Sequence, residues 1–378
     1  MNQDLRLLCA TVGNVDKQPG VGVKLGFLYE AFNNYAKVID TYDASLKGVD
    51  RFTNLVSVFH PNVAIWKERF YKNVPAFRLR SKRFVEFART MEDRIDALFQ
   101  IGVLFNAKWN GFPRPNFIYV DYTAHLSARK PASGRSPFSP RQRSLWLNLE
   151  LEAFKQASHI FTRSDFVRGS VIQDYGIAPE LVSTVGGGVN LKALPDITEK
   201  NRNSAPTVLF IGKDFYRKGG DILLKAFAQA RNQVSEAKLV MVTDGPVPSD
   251  LPIENVTVVA PTWDRSVIES LYSKADVFAL PSRLETWGDV LIEAMSYGLP
   301  CVGVQSDSMG EIIQNGKTGM LVPVEDVENL GTALIQLLQK REIRNMYGRA
   351  GREIVKNQFT WERVAQKMAK VMKEEIFN

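Results

Sequence analysis

Two short apolar runs enclose a helical pattern in the stretch Asp276-Val-Phe-Ala-Leu-Pro-Ser-Arg-Leu-Glu-Thr-Trp-Gly-Asp-Val-Leu-Ile-Glu-Ala-Met-Ser-Tyr-Gly-Leu-Pro-Cys-Val-Gly-Val304. Val277 to Leu280 have the pattern of a buried strand, which Pro281 closes. Apolar residues then recur at helical spacing until Gly298, and Cys301 to Val304 form the second apolar run. The stretch therefore predicts one βαβ unit of an α/β fold.

The loop and first turns of this predicted helix carry groups that suit a ligand with phosphates and hydroxyls. Glu285 stands in the loop and Glu293 on the helix, at the carboxyl edge of the sheet, where open α/β folds bind ligands. Gly288 has no Cβ, so an anion can approach the main chain closely. Amides that lack an intrahelical acceptor lie at the positive end of the helix dipole. They are those of Trp287, Gly288, Asp289 and Val290.

The string Glu285-x-Trp-Gly-x-x-x-x-Glu293-Ala-Met resembles the motif of family 4 (group 1) retaining glycosyltransferases, which usually have Phe where this chain has Trp287. The resemblance implies the glycosyltransferase B architecture, an α/β fold of two Rossmann-like domains that face a cleft. It implies an acceptor-side domain at 1–193 and a donor-binding domain at 206–359. It also implies that a C-terminal helix at 360–378 crosses back to the first domain.

Length and composition fit such a protein. A chain of 378 residues exceeds what one core normally supports, and 45% hydrophobic with 24% charged residues is typical of a soluble globular protein. No apolar run approaches the ~20 residues of a membrane span, and the chain start lacks a signal-peptide pattern. We therefore expect a cytoplasmic protein. Three scattered histidines and the absence of an Asp-x-Asp pair predict no metal site and no cofactor.

Positive charge is concentrated between His60 and Arg143, where 16 Lys and Arg face six Asp and Glu, a surplus of ten. Such a region could face anionic lipid, nucleic acid or a phosphorylated substrate, or form a solvated basic face, the commoner case. Basic and aromatic residues interleave from Trp66 to Leu98, which indicates either peripheral contact with the inner face of a membrane or a core-packing helix with a basic outer face. We slightly favour the core helix and expect no nucleic acid. Asn54 to Phe59 is predicted to be a strand.

The first half contributes two groups of candidate site residues. The strand Leu5 to Val12 leads through a glycine loop into a helix, which is typical of a Rossmann-like half. By resemblance to the family, Gly20 and Gly22 of this loop face the donor phosphates. The family also places a His or Asp just past a later strand, beside the transferring sugar. Asp121 and His125 compete for that position, and each could instead be a local cap or turn residue.

The second half adds cations and turn residues at strand ends. Gly212-Lys213-Asp-Phe-Tyr-Arg217-Lys218 resembles the segment in which the family grips the donor diphosphate. Lys218 matches that pattern directly, whereas Lys213 and Arg217 are alternatives for the second cation. The next strand–loop segments would pack the nucleotide and read the base, and they contain the donor-binding candidates Thr243, Gly245 and Thr262.

Together these features predict a metal-independent, hexosyltransferase-type enzyme that retains stereochemistry. It would move a sugar from a nucleotide-diphosphate sugar to an acceptor hydroxyl of a glycan, lipid or small molecule, in cell-envelope or polysaccharide synthesis. The resemblance places Glu293 on the donor ribose and Glu285 near the sugar hydroxyls, with Lys218 on the departing phosphate. Two alternatives are a noncatalytic protein that binds nucleotide sugars or nucleic acid, and an epimerase or phosphorylase on the same fold.

Overall fold

A computed structural model describes residues 4–13, 19–130, 135–197 and 205–377 of the chain. The chain divides into two compact units. The first comprises Met1–Gly188 together with Trp361–Asn378, and the second comprises Val189–Thr360. Each unit contains a six-stranded sheet whose neighbouring strands are all parallel. The predicted α/β class with two Rossmann-like halves is thereby confirmed.

The sheet of the first unit has the strand order β2-β1-β3-β4-β5-β6. Its strands are β1 (Arg6–Thr11), β2 (Lys37–Asp43), β3 (Ala97–Ile101), β4 (Asn116–Val120), β5 (His159–Thr162) and β6 (Val182–Thr184). The helices between them are α1 (Pro19–Phe32), α2 (Gly48–Ser57), α3 (Val63–Tyr71), α4 (Val74–Arg89), α5 (Ala124–Arg129), α6 (Pro140–Lys155) and α7 (Asp165–Gln173).

The sheet of the second unit has the order β12-β11-β10-β7-β8-β9. Its strands are β7 (Thr207–Ile211), β8 (Lys238–Val242), β9 (Val256–Val259), β10 (Val277–Leu280), β11 (Cys301–Val304) and β12 (Gly319–Val322). The helices are α8 (Gly220–Arg231), α9 (Arg265–Lys274), α10 (Asp289–Ser296), α11 (Met309–Ile312), α12 (Val327–Gln339) and α13 (Arg341–Gln358). A last helix, α14 (Trp361–Phe377), returns to the first unit.

Both faces of the first sheet are covered, which explains why its strands read as continuous apolar runs. Successive residues of a strand point to opposite faces. Leu7 and Cys9 accordingly lie in one buried cluster with side chains of α1 and α14, whereas Leu8 and Ala10 lie in another with side chains of α4. Val364 and Met368 of α14 are fully buried in the first of these clusters. The last helix is therefore part of the first unit's core.

Two sequence expectations are affected by the fold. The strand predicted at Asn54 to Phe59 is wrong, because Gly48–Ser57 is the helix α2. In the basic stretch from Trp66 to Leu98, Phe77 and Phe84 of α4 are fully buried, as a core-packing helix requires. Among the described residues, no helix is both long and apolar enough to cross a membrane. Residues 198–204, which lie between the two predicted domains, are outside the described residues.

Candidate functional site

The strand order of the second sheet reverses beside β7, and the reversal brings two loops to one edge. β7 pairs with β10 on one side and with β8 on the other. Because β7 and β10 are parallel, with Val277 opposite Val208, the loops that follow them emerge at the same end of the sheet. One loop leads to α8 and carries Lys218, and the other leads to α10 and carries Glu285. Such a reversal point is where open α/β sheets bind ligands.

Lys218 and Glu285 form an ion pair across these loops, with the ammonium donating to Oε2 of the carboxylate. The Lys218 side chain is 14% exposed and the Glu285 side chain 8%. The backbone N–H of Glu285 donates to Oδ2 of Asp307 at 2.9 Å, which fixes the loop behind the pair. A mostly buried cation is thus held at the predicted phosphate site.

Gly219 allows the two loops to approach each other. Its φ is +75°, and a Cβ built on it would lie 2.0 Å from the carbonyl oxygen of Pro281. Any other residue would therefore separate the loops that carry Lys218 and Glu285.

Arg217 and Lys213, the alternative second cations, have different surroundings. The guanidinium of Arg217 donates to Asp214 at 3.1 Å and to the carbonyl oxygen of Leu284 at 3.2 Å. The backbone N–H of Arg283 donates to the Arg217 carbonyl oxygen at 2.9 Å. Arg217 therefore joins the two loops. Lys213 is exposed, with its ammonium 3.9 Å from a carboxylate oxygen of the exposed Asp244. Gly212, which directly follows β7, donates its N–H to the carbonyl oxygen of Val242 in β8 at 2.9 Å.

The N-terminus of α10 has the conformation expected of an anion-binding turn. Gly288 is the N-cap residue, with φ +112° and ψ +47°, a left-handed conformation that favours glycine. The Trp287 indole is buried and lies edge-on to Phe359 at 5.9 Å, and the hydroxyl of Ser308 donates to the Trp287 carbonyl at 3.0 Å. The Trp287 side chain therefore anchors the turn, and its ligand-binding group would be the main chain. Asp289 and Val290 form the first turn of the helix.

Glu293 is buried on α10 and contacts two residues of α9 that the sequence did not single out. Nη1 of Arg265 lies 3.4 and 3.5 Å from its two carboxylate oxygens, and the hydroxyl of Tyr272 donates to Oε2 at 3.3 Å. Burial raises the pKa of Glu293, and the Arg265 charge partly opposes that rise. No sequence motif links Arg265 or Tyr272 to Glu293, because the contact arises only from the packing of α9 against α10.

The remaining second-unit candidates follow strands β8 and β9. Thr243 is buried just after β8, and within the described part of the chain its hydroxyl has no hydrogen-bond partner. Gly245 occupies the turn that follows, with φ +81°. The Thr262 hydroxyl instead accepts from the N–H of Asp264 at 2.9 Å, so it orders the start of α9. Thr243 consequently offers an unused polar group, whereas Thr262 acts as a turn residue.

Two of the first-unit candidates, Asp121 and His125, lie in and after the loop that follows β4. Asp121 is half-buried directly after the strand, and His125 is in α5. The His125 ring lies edge-on to Tyr175 at 4.9 Å, and the N–H of His125 donates to the Tyr175 hydroxyl at 3.2 Å. The predicted loop at Gly20 and Gly22 is wrong, because both glycines lie in the opening turns of α1. Their surroundings lie outside what the structure describes.

A buried carboxylate that no sequence pattern indicated stabilises the start of α5, where His125 lies. Glu150 of α6 accepts hydrogen bonds from the Tyr175 hydroxyl and, at 2.9 Å, from the N–H of Ala124. Burial raises the pKa of Glu150 to about 7, although both hydrogen bonds act in the opposite direction. The start of α5 is thus fixed by a polar network within the first unit. Among the described residues, no cluster of three His, Cys, Asp or Glu side chains is placed to hold a metal ion.

Comparisons with known proteins agree with this geometry. Residues 196–354 match the family model of glycosyl transferases group 1. The chain is 27% identical over 302 residues to D-inositol 3-phosphate glycosyltransferase of Saccharomonospora viridis, covering 73% of this chain and 67% of that protein. It is 36% identical over 156 residues to a sulfoquinovosyl transferase of Arabidopsis thaliana, but this covers only 39% of the chain and 29% of that protein.

The fold also matches solved structures along its whole length. Sucrose-phosphate synthase of Thermosynechococcus elongatus superposes with a TM-score of 0.71 at 18% identity, covering 98% of each chain. At that identity the likeness shows the fold alone. Residues 196–354 therefore resemble the group 1 glycosyl transferases, and the chain has the glycosyltransferase B fold.

Proposed function

We propose that the protein is a retaining glycosyltransferase that moves a sugar from a nucleotide-diphosphate sugar to an acceptor hydroxyl. The observation that carries this proposal is the Lys218–Glu285 pair at the point where the strand order reverses, beside the start of α10. A buried cation and helix-start amides suit a leaving diphosphate, because they stabilise negative charge that develops as the glycosidic bond breaks.

In this proposal the donor's bond between the sugar C1 and the phosphate oxygen breaks, and its electron pair stays on the diphosphate. Lys218 and the amides from Trp287 to Val290 stabilise that charge. The acceptor oxygen bonds to C1 from the same face, and its proton passes to the departing phosphate oxygen. Lys213 is our preferred second cation, because the Arg217 guanidinium is committed to holding the loops together.

The carboxylates would bind the donor's hydroxyl groups. Glu293 would accept from the ribose, with Arg265 and Tyr272 holding its carboxylate in place. Glu285 would accept from the sugar hydroxyls and orient the Lys218 ammonium. The buried hydroxyl of Thr243 is available to a donor group near the end of β8.

The first unit would supply the acceptor side. His125 is our preferred residue beside the transferring sugar, because α5 is fixed by Glu150 and Tyr175 and so presents a defined orientation. Asp121 stays the alternative. Gly20 and Gly22 would face the donor phosphates. The acceptor is a glycan, lipid or small molecule, and we place the reaction in the cytoplasm, in cell-envelope or polysaccharide synthesis. The exposed cations of α4, such as Arg78 and Lys82, support peripheral membrane contact within 66–98.

The test is nucleotide release from a panel of UDP-, GDP- and ADP-sugars without added metal. We expect release from one donor class, and loss of that release in Glu293→Ala. Glu342→Ala is the matched control, because Glu342 is an exposed glutamate on α13. If no donor were bound and no nucleotide were released, the proposal would be refuted. Full activity of Glu293→Ala would refute the role of Glu293 in donor binding.

A further inference from the structure

The helix α2 has an apolar exposed face and a polar buried face, the reverse of an ordinary surface helix. A surface helix normally turns its apolar stripe toward the core and its polar residues outward. The one buried residue of α2 is polar, Asn54. Val49, Phe52 and Val56 are spaced three and four residues apart, so they share the opposite face, and they are 77%, 66% and 59% exposed.

The exposed apolar face continues past the end of the helix. Phe59 is 64% exposed and Val63, the first residue of α3, is 72% exposed. The Phe59 ring lies edge-on to Trp66 at 5.2 Å. We call Val49, Phe52, Val56, Phe59 and Val63 the apolar ridge. Single exposed apolar residues are common on protein surfaces, but a contiguous set marks an interaction site.

Specific hydrogen bonds hold the ridge in this orientation. The Asn54 amide donates to the carbonyl of Phe70 at 2.9 Å, and the Asn73 amide donates to Oδ1 of Asn54, also at 2.9 Å. The indole of Trp66 donates to the carbonyl of Leu55 at 3.0 Å. These bonds fix α2 and α3 together through their inner, polar side. The outward position of the apolar residues is therefore built into the packing of α2 on α3.

The surroundings of the ridge are positively charged. Between residues 47 and 72, five cations face two acids, a surplus of three: Lys47, Arg51, Lys67, Arg69 and Lys72 against Asp50 and Glu68. α4 lies alongside, since Nη2 of Arg83 is 3.3 Å from a carboxylate oxygen of Asp50. Arg78 and Lys82 of α4 are exposed as well.

An apolar stripe bordered by cations complements an anionic lipid surface, where apolar side chains enter the headgroup boundary and cations remain at the phosphates. A second copy of the chain would bring the same positive charge to the contact, which disfavours self-association. We propose that the apolar ridge is a docking surface for an anionic membrane. This contact lies upstream of the stretch from Trp66 to Leu98, and it does not depend on the proposed glycosyl transfer.

The test is co-sedimentation of the full chain with phosphatidylcholine vesicles, with and without phosphatidylglycerol. The test variant is Phe52→Asp/Val56→Asp. Both side chains are exposed, so the fold should tolerate the change, and thermal unfolding followed by circular dichroism checks this. The matched control is Met346→Asp, because Met346 is 57% exposed on α13 of the second unit. A third variant, Lys47→Glu/Arg51→Glu, tests the charge.

We expect wild type and Met346→Asp to bind the phosphatidylglycerol vesicles equally. The ratio of bound to unbound protein should fall at least about tenfold in Phe52→Asp/Val56→Asp, because the variant lacks two apolar side chains that the wild type would bury in the membrane. The Lys47→Glu/Arg51→Glu variant should bind more weakly, most clearly at low salt. Three results would overturn the proposal: no wild-type binding, unchanged binding by the Asp variant, or a ridge-dependent dimer in sedimentation velocity without vesicle binding.

Discussion

Replacement of Lys218 by alanine tests the chemistry and the fold of the site at once. The ammonium is mostly buried and pairs with Glu285, which is held from behind by Asp307. Lys218→Ala removes the cation proposed to face the leaving diphosphate. It also leaves the Glu285 carboxylate buried without that partner. The two effects have different sizes and different readouts.

The catalytic effect follows from the loss of one preorganised charge contact in the transition state, about 3–4 kcal/mol, or roughly 10²- to 10³-fold in kcat. The effect on folding follows from breaking a buried ion pair, which costs about 3 kcal/mol or slightly more. For a unit of this size, that loss should lower the melting temperature by roughly 6–12 °C. The donor KM should change less than kcat, since the charge develops only as the bond breaks.

The assay measures kcat and KM for nucleotide release, together with thermal unfolding of each variant. Lys218→Ala/Glu285→Gln separates the two effects, because removing the unpaired carboxylate should restore stability without restoring turnover. Lys225→Ala is the control for loss of a positive charge, because Lys225 is exposed on α8 and has no role in the proposed site. If Lys218→Ala turned over nearly as fast as wild type while remaining folded, the assignment of Lys218 to the diphosphate would be refuted.

Three further changes probe other parts of the two units. Glu293→Gln should raise the donor KM about tenfold. Donor binding by the wild type should weaken as pH falls through the raised pKa of Glu293, and the variant should lack this pH dependence. Because the pKa of Glu150 is raised in the folded protein, the stability of the wild type should fall as pH rises between about 4.5 and 7. Glu150→Gln lacks this titration, so urea unfolding should show it more stable than wild type between pH 5 and 8, by up to about 3 kcal/mol. A stability difference that did not change with pH would contradict this. Gly288→Ala should lower the free energy of unfolding by about 1–2 kcal/mol and weaken donor binding, because the φ of Gly288 is +112° and the new Cβ would lie 2.9 Å from Leu291. Gly310→Ala is the control, because there is room for a Cβ at Gly310, and it should match wild type.

The parallel strands were predictable because they are buried on both faces and read as continuous apolar runs. Val277 to Leu280 and Cys301 to Val304 match β10 and β11 residue for residue. The pairing of Lys218 with Glu285 joins residues 67 positions apart. The family resemblance predicted each of them as a site residue, but it did not predict the ion pair between them. Contacts such as Arg265 with Glu293 arise from how helices pack, which no local pattern records.

The misread strand at Asn54 to Phe59 has a specific physical cause. Sequence patterns locate a helix by assuming that its apolar residues face the core. In α2 the apolar residues face outward and the buried residue is an asparagine, so the rule has no inward stripe to find. The exposed apolar face of α2, which made the prediction wrong, is also the observation on which the proposed membrane contact rests.

The return of α14 to the first unit has a consequence for how the protein is made. Val364, Met368 and Met372 complete the buried cluster that contains Leu25 and Leu28 of α1. A ribosome synthesises all of Val189–Thr360 before it reaches α14. The second unit, contiguous in sequence, can therefore fold during translation, whereas the nascent first unit exposes one face of its core until α14 emerges. A premature stop near residue 360 would spare the later-made unit and leave the earlier-made one unfinished.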